Sequence, residues 1–322
     1  MIIGSSPSLV SSPTQGADPF LHPALLYRDE AEYLAGTVPF IVDGLAADEP
    51  VAVSVPGPNL AKIRRELGSL ASRVRLLDMT EAGRNPARIL PGVLHAAADP
   101  FPDRHVRIIG EPIWATRTEH EYPACLQHEA LINGAFRGRR VTILCPYDVT
   151  SLDPSVVADA HRTHPVLIEA DGRHRLSDDY SPSQVIEATN VSLPEPAAER
   201  VRTVNFDITG LSAARRAAAE EASRAGLELE RVDDVRLAVG ELIANSVRHG
   251  AGSGTLRVWA EGHMLVAEVR DVGRICDPLA GRRPAPTDQL GGRGLLLVNH
   301  VADLARTHTG PDGTETRIYF RS

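Results

Sequence analysis

Three polar side chains recur every four residues in the stretch "VGELIANSVRHG" at 239–250. They are Glu241, Asn245 and His249, and because one helical turn takes about 3.6 residues they share one helix face. A carboxylate can accept a proton, and an amide oxygen can bind a hard cation such as Mg²⁺. The pattern is also typical of a solvated face, the ordinary place for a lone Glu or Asn. The stretch alone leaves both interpretations open.

Asp271 ends the alternating stretch "LVAEVRDVG". Side chains two residues apart on a strand point the same way, so Asp271 would share a face with the apolar residues Leu265, Ala267 and Val269. A carboxylate that points into the interior needs a hydrogen-bond donor, and the amino group of a bound base would supply one. Alternatively, the strand ends at Arg270 and Asp271 starts a turn before Gly273. The sequence does not decide between the two.

A run of glycines precedes the apolar helix pattern in "LGGRGLLLVNHVAD". Gly291, Gly292 and Gly294 would let a phosphate approach the backbone N–H groups at a helix N-terminus. Glycines also make ordinary turns, so the loop alone is weak evidence. The chain contains no G-x-x-x-x-G-K-[ST] sequence, which excludes a Walker A site.

The order and spacing of these three features resemble the GHKL ATPase family, which includes gyrase, Hsp90, histidine kinases and MutL. The resemblance covers residues 201–322 and implies an ATP site between helices and sheet, in which Asn245 holds Mg²⁺. It implies that Asp271 accepts a hydrogen bond from the adenine amino group, and that Gly273 allows the base to come close. The remaining implied contacts to the nucleotide are Gly292, Gly294 and Thr316.

The segments "ELIANSVRHG" and "GGRGLLLVNHVAD" look most like the anti-sigma-factor serine kinases of Gram-positive bacteria. This resemblance implies a serine/threonine protein kinase in which Glu241 is the catalytic base. The implied substrate is an anti-sigma-factor antagonist of the STAS type, a sigma factor is a further implied partner, and such kinases often form homodimers. His249 matches a common position of the group, but a helix C-terminal cation explains it equally well.

One residue departs from the family pattern. The motif D-x-G-x-G reads D-V-G-R-I here, with Ile275 at the second glycine. The alternative function is therefore a non-catalytic, ATP-gated binding module that sequesters a sigma factor or another partner. The lid at 274–290 is short and rich in proline, as in the anti-sigma group. The segment before the domain, "VIEATNVSLPEPAAERV", has no His, which argues against a histidine kinase.

The first half alternates apolar runs with amphipathic stretches. The runs lie at 51–55, 74–79, 105–110, 141–145 and 166–170, and the helical patterns at 29–47, 59–70, 86–98, 119–137 and 153–163. This alternation predicts an α/β domain with a mainly parallel sheet. Ligands bind beyond the carboxyl ends of such strands, where Glu111, Tyr147 and Asp148 would share a rim unless they only cap loops. His22, His128 and His164 show no metal-ligand spacing.

The segments "RIIGEPIW", "QHEALINGAF" and "LCPYD" resemble the MEDS sensory domain, which is related in fold to RecA and KaiC. The resemblance covers residues 21–176 and implies a sensor for a small molecule, such as a hydrocarbon derivative. It does not imply nucleotide hydrolysis there, because "PGPNLAKIRREL" after the run at 51–55 lacks the glycine and lysine pair of a phosphate loop.

The second half has a different pattern after a polar, proline-containing linker at 177–200. Helices are predicted at 212–226, 231–250 and about 294–306. A strand precedes them, "TLRVWAEGHMLVAEVRDVG" predicts a hairpin, and "ETRIYFRS" predicts a last strand. Three helices on one face of a mainly antiparallel sheet make an α+β sandwich. The resemblance implies that this sandwich is the GHKL (Bergerat) fold.

Bulk properties suit a cytoplasmic regulator of two domains, since 322 residues exceed one typical domain. The net charge of −8 argues against direct nucleic-acid binding. Residues 1–20 have the composition of a disordered tail and no signal-peptide pattern, and no apolar run reaches the roughly 20 residues of a membrane span. Three widely spaced cysteines suit a reducing compartment.

Overall fold

The computed structural model describes residues 18–169, 171–284 and 292–322. The N-terminal half forms one sheet in the order β3-β2-β4-β5-β1-β6-β7. Every neighbouring pair in this sheet is parallel except β6 with β7. Its strands are β1 (Pro23–Tyr27), β2 (Val51–Val55), β3 (Arg75–Asp78), β4 (Val106–Gly110), β5 (Val141–Asp148), β6 (Val166–Ile168) and β7 (His174–Leu176).

Helices cover both faces of this sheet. The central strands therefore bury both of their faces, with Ile108 and Ile143 packed into one core and Ile109 and Leu144 into the other. This is why these strands read as continuous apolar runs. The helices are α1 (Glu30–Ala46), α2 (Gly57–Leu67), α3 (Met79–Ala82), α4 (Ala96–Ala98), α5 (Tyr122–Ala135), α6 (Pro154–Thr163) and α7 (Pro182–Thr189).

Several elements of this half differ from the prediction, including the short antiparallel β7, which was not predicted. β1 lies between β5 and β6 in the sheet, although its short sequence PALLY gave no strand pattern of its own. The predicted single helix at 86–98 is broken into a 3-10 turn at Pro86–Arg88, a π-helical stretch at Leu90–His95 and the short α4. Pro91 within this region lacks a backbone N–H and cannot continue a regular helix.

The C-terminal half forms an antiparallel sheet in the order β11-β12-β10-β9-β8. Three helices pack on one face of it, which confirms the predicted α+β sandwich. The strands are β8 (Arg202–Asp207), β9 (Ser253–Glu261), β10 (Met264–Asp271), β11 (Leu304–Gly310) and β12 (Gly313–Arg321). The helices are α8 (Leu211–Arg224), α9 (Leu229–His249) and α10 (Gly294–Val301).

The last helix is shorter than predicted. α10 ends at Val301 rather than near 306, because the chain pairs with β12 from Leu304 onward. Backbone pairing across the sheet thus overrides the helical pattern of the local sequence.

The segment 177–200, predicted as a linker, packs on both halves of the molecule. It contains α7, whose Val185 is fully buried, and α7 lies against α5. Asn190 Nδ2 donates to the carbonyl of Thr309 at 2.9 Å, and Thr309 N–H donates back to Asn190 Oδ1 at 3.0 Å. Most of the predicted disordered tail, residues 1–17, lies outside the described residues. No helix within the described ranges is long and apolar enough to cross a bilayer.

Candidate functional site

A cavity of about 830 Å³ opens between α9, the end of β10 and the start of α10. Eight of the residues singled out in the second half of the sequence line it, although they come from distant parts of the chain. They are Glu241, Asn245, His249, Asp271, Gly273, Gly292, Gly294 and Thr316. Gly291 and the part of the lid at 285–290 lie outside the described residues.

Helix α9 supplies one wall of the cavity. Val239, Leu242 and Ile243 pack into the core and fix the rotation of the helix. Glu241 and Asn245 are then half-buried along the cavity, while His249 at the helix end is exposed. The polar face of this helix is therefore a cavity wall rather than an open surface.

Asp271 is the last residue of β10, and its side chain points toward the interior. The register pairs it with Thr314, and Ala267 and Val269 on the same face belong to the core. Its Oδ2 accepts a hydrogen bond from Ser246 Oγ at 2.6 Å, and its Oδ1 accepts one from Gly273 N–H at 2.7 Å. Two ionised oxygens offer about four acceptor positions, so the carboxylate keeps capacity for a further donor.

Ser246 is a functional candidate that sequence reasoning missed. Its hydroxyl donates to Asp271 Oδ2 from α9 at 2.6 Å and lies 3.2 Å from the carbonyl oxygen of Leu242, the alternative acceptor. A small hydroxyl residue among buried apolar neighbours, directly after Asn245, was the signal that could have identified it.

Gly273 is required by close backbone packing. A Cβ at this position would lie 2.6 Å from the carbonyl oxygen of His249, well inside van der Waals contact. Thr314 Oγ1 donates to the Gly273 carbonyl at 2.8 Å and holds the turn in place. Next to it, the hydroxyl groups of Thr316 and Thr307 lie 3.2 Å apart. Gly273, Thr314 and Thr316 all line the cavity.

The start of α10 also lines the cavity. A Cβ at Gly294 would lie 2.6 Å from Glu241 Oε2, so a side chain there would displace the carboxylate. Gly292 has a φ of +84°, a conformation that favours glycine. No side chain of the described residues caps this helix, which leaves its first N–H groups available to an anion.

Ile275 also lines the cavity, at the position of the second motif glycine. Its backbone N–H donates to Thr309 Oγ1 at 3.2 Å, which ties the chain after Asp271 to β11. The half-buried side chain takes up space that a glycine would leave open.

The structure separates Tyr147 from the other two candidates of the first half, Glu111 and Asp148. Glu111 is buried and accepts hydrogen bonds from Asn59 Nδ2 at 3.0 Å and Tyr33 Oη at 3.3 Å. Burial raises the pKa of Glu111 to about 8, and the charge of nearby Asp148 adds to the rise. Tyr147 points to the opposite face of the sheet from its neighbour Asp148. It is buried in the core that contains Ile108 and Ile143.

Asp148 lies with Glu111 at the carboxyl edge of the sheet. Burial acts to raise its pKa, but hydrogen bonds from Ser151 and Thr150 outweigh it and hold the pKa of Asp148 below its usual value. One carboxyl group with a raised pKa and one with a lowered pKa therefore share this edge. The arrangement can present a neutral donor beside an anionic acceptor.

Two family models match the chain. Residues 21–165 match MEDS, the MEthanogen/methylotroph, DcmR Sensory domain. Residues 204–320 match the Histidine kinase-like ATPase domain. The two matches confirm the resemblances to the MEDS domain and to the GHKL ATPase family, and a domain of the second type implies ATP binding, usually with Mg²⁺. No curated protein matches the chain.

Solved structures similar to this chain include the RsbU and RsbW domains of Rv1364c from Mycobacterium tuberculosis. That structure is 19% identical, with a TM-score of 0.30, over 38% of this chain and 32% of its own. The chain thus matches about a third of that structure's length. The Acinetobacter baumannii histidine kinase AdeS is 14% identical, with a TM-score of 0.24, over 38% of this chain and 68% of its own.

Proposed function

We propose that this chain, which joins a MEDS domain to a histidine kinase-like ATPase domain, is a serine/threonine protein kinase of the anti-sigma-factor type. Its substrate would be an anti-sigma-factor antagonist, and a small-molecule signal at the N-terminal domain would control it. The observation that carries the proposal is the cavity of about 830 Å³ in which every predicted nucleotide contact meets. Its volume lies within the roughly 300–1,000 Å³ of ordinary ligand sites.

The cavity has a different chemistry at each end. Asp271 would accept the adenine amino group, with Gly273 and Thr316 beside the base. The N–H groups of Gly292 and Gly294 at the start of α10 would hold the phosphates. Asn245 would hold Mg²⁺, which supplies neutralisation of phosphate charge.

Glu241 has the position of a general base at the phosphate end, because its carboxylate lies beside Gly294. It would take the proton of a partner's serine hydroxyl as the serine oxygen bonds to the γ-phosphorus. The bond from that phosphorus to the bridging oxygen of ADP breaks in the same transfer. Phosphoryl transfer depends chiefly on positioning and charge neutralisation, so a modest set of residues suffices.

Contacts between the two halves give the proposed control a physical route. Asn85 Nδ2 donates to the carbonyl of Asn299 on α10 at 2.9 Å, in a buried position. Arg282, in the lid region, donates to Gln127 Oε1 on α5 at 2.7 Å. A rearrangement of the N-terminal domain would therefore reach both the helix that holds the phosphates and the segment leading into the lid.

The test mixes the purified full chain, labelled ATP and candidate antagonist proteins. Asn245→Ala should abolish transfer of label, because the proposed metal ligand is lost. Asn205→Ala is the matched control, since Asn205 is an exposed residue of β8 outside the cavity. Unaltered transfer by Asn245→Ala would refute the assigned site.

A second function rests on Ile275. An isoleucine in the cavity wall, where the motif has glycine, favours a module that binds ATP without turnover and holds a sigma factor or another partner. This function predicts measurable ATP binding with no transfer to any antagonist, and partner retention that depends on ATP. Transfer of label to one antagonist would exclude it.

A further inference from the structure

Four potential metal ligands meet in the interior of the N-terminal domain: His22, Glu129, Cys145 and His164. We refer to them as the His-Glu-Cys-His cluster. Each is at most 1% exposed, and one ligand atom from each lies within 4.8 Å of the other three. They come from the residue before β1, from α5, from β5 and from the residue after α6. The sequence showed no metal-ligand spacing because these ligands are gathered by the sheet and its crossover helices.

The hydrogen bonds around the cluster fix both imidazole rings. His22 Nδ1 faces Asn133 Oδ1 at 3.2 Å, and the amide nitrogen of Asn133 is already committed to backbone carbonyls, so the ring must donate. His164 Nδ1 likewise donates to the carbonyl of Ala160 at 2.9 Å. Both Nε2 atoms are left pointing into the cluster. Metal-binding histidines are typically oriented by such a bond from their other ring nitrogen.

Most atoms at the centre of the cluster have no hydrogen-bond partner within it. The exception is the contact of Cys145 Sγ with His22 Nε2 at 3.4 Å. The Nε2 atoms of His22 and His164 lie 3.4 and 3.1 Å from Glu129 Oε2, yet neither contact has the alignment of a hydrogen bond. His164 Nε2 and both Glu129 oxygens are buried without a hydrogen-bond partner among the described residues. A neutral His22 ring that donates from Nδ1 has a lone pair at Nε2. Unsatisfied buried acceptors of this kind are costly.

Three separations in the cluster lie close to the edge length of a coordination tetrahedron. Nitrogen, oxygen and sulfur ligands about 2.0–2.3 Å from a Zn²⁺ ion lie roughly 3.3–3.7 Å apart. The cluster gives 3.1 Å, 3.4 Å and, from Cys145 Sγ to His22 Nε2, 3.4 Å. In such a site the lone pairs point at the central ion rather than at each other, which accounts for the missing hydrogen-bond alignment of the two contacts to Glu129 Oε2.

We propose that the N-terminal domain binds one divalent transition-metal ion, best matched by Zn²⁺, through His22, Glu129, Cys145 and His164. Binding replaces the thiol proton of Cys145 with the metal and releases that proton to solvent. Two neutral imidazoles, a carboxylate, a thiolate and a divalent cation sum to zero charge, which suits a fully buried site. Four protein ligands leave no open position, so the ion would hold the domain together rather than act on a substrate.

Helix α5 connects the proposed metal site with the C-terminal half of the chain. This helix carries Glu129 and, two residues earlier, Gln127, whose side chain accepts the hydrogen bond from Arg282. An ion that fixes Glu129 would therefore also fix the helix surface that faces the ATPase domain.

The test uses the full chain, purified without chelators and without an affinity tag that binds metals. Elemental analysis should find one Zn²⁺ per chain. Replacement by Co²⁺ should give the visible bands of a tetrahedral cobalt site and a near-ultraviolet sulfur-to-cobalt band. Cys145→Ser should lose the sulfur-to-cobalt band and most of the metal. Cys125→Ser is the matched control, because Cys125 is equally buried on α5 but lies outside the cluster.

Three results would overturn the proposal. One is wild-type protein that takes up no Zn²⁺ or Co²⁺ and shows no change in Tm when Zn²⁺ is added, which would leave a proton-linked cluster instead. The second is a Co²⁺ complex without the sulfur band. The third is Cys145→Ser protein that binds metal as Cys125→Ser does. The first two use only wild-type protein, so they remain decisive if a variant fails to fold.

Discussion

The replacement Asp271→Asn tests adenine recognition most directly. The carboxylate accepts one hydrogen bond from Gly273 N–H at Oδ1 and one from Ser246 Oγ at Oδ2. An amide of the same shape can keep its oxygen at Gly273 and turn its NH₂ toward Ser246, whose hydroxyl can also accept. The fold should therefore tolerate the change, while the charged acceptor for the adenine amino group is lost.

The size of the effect follows from the kind of hydrogen bond removed. A bond to a charged group contributes about 1.5–3 kcal/mol. At about 1.4 kcal/mol per tenfold change, ATP affinity should fall about ten- to hundredfold. Inosine triphosphate has an acceptor in place of the amino group, so wild-type protein should bind it more weakly than ATP. The variant, with NH₂ facing that acceptor, should lose this preference.

Isothermal titration of both nucleotides into both proteins measures the coupling between residue and base. Asp207→Asn is the matched control, because Asp207 ends β8 and lies outside the cavity. The reasoning is refuted if Asp271→Asn binds ATP within about twofold of this control. It is equally refuted if ATP remains preferred over inosine triphosphate by the wild-type ratio.

Three further predictions concern the phosphate end, the sheet and the N-terminal domain. Gly294→Ala should weaken ATP binding and displace Glu241, because the new Cβ would lie 2.6 Å from its Oε2; nucleotide titration measures this. Glu268→Ala should lower the free energy of unfolding by about 3–5 kcal/mol in a urea titration, because this fully buried carboxylate pairs with Arg257, Arg270 and Arg317. Burial raises the folded-state pKa of Glu111 from 4.5 to about 8, so the folded state holds the proton longer than the unfolded state. Stability from this group should therefore fall as pH rises from about 4.5 to 8, and Glu111→Gln should flatten that part of the stability–pH profile.

For each of these three predictions, a specific result would contradict the reasoning. Gly134→Ala, in a helix of the N-terminal domain with open space around it, should leave ATP binding unchanged. An equal loss in both glycine variants would contradict the steric argument at Gly294. A stability loss below about 1 kcal/mol for Glu268→Ala would mean that the ion cluster is solvated rather than buried. An unchanged pH profile for Glu111→Gln would place the titrating group elsewhere.

The sequence predicted most of the elements, because their patterns are local. Apolar runs of five or six residues matched β2, β3, β4 and β5, and the residues on either side of the hairpin turn at 261–263 matched β9 and β10. It did not predict β1, whose strand conformation comes from pairing with β5 and β6 rather than from its own composition. It extended α10 too far, since pairing of β11 with β12 ends the helix at Val301.

The sites show the same division. The sequence identified Glu241, Asn245, Asp271 and the glycines as candidate site residues. Each belongs to a short motif whose residues lie close together in the sequence. Ser246 could not, because its role depends on which carboxylate the fold places against it. The sequence also could not predict that His22 and His164 lie together. Their contact with Glu129 and Cys145 depends on how parallel strands and crossover helices stack, and no local periodicity records that stacking.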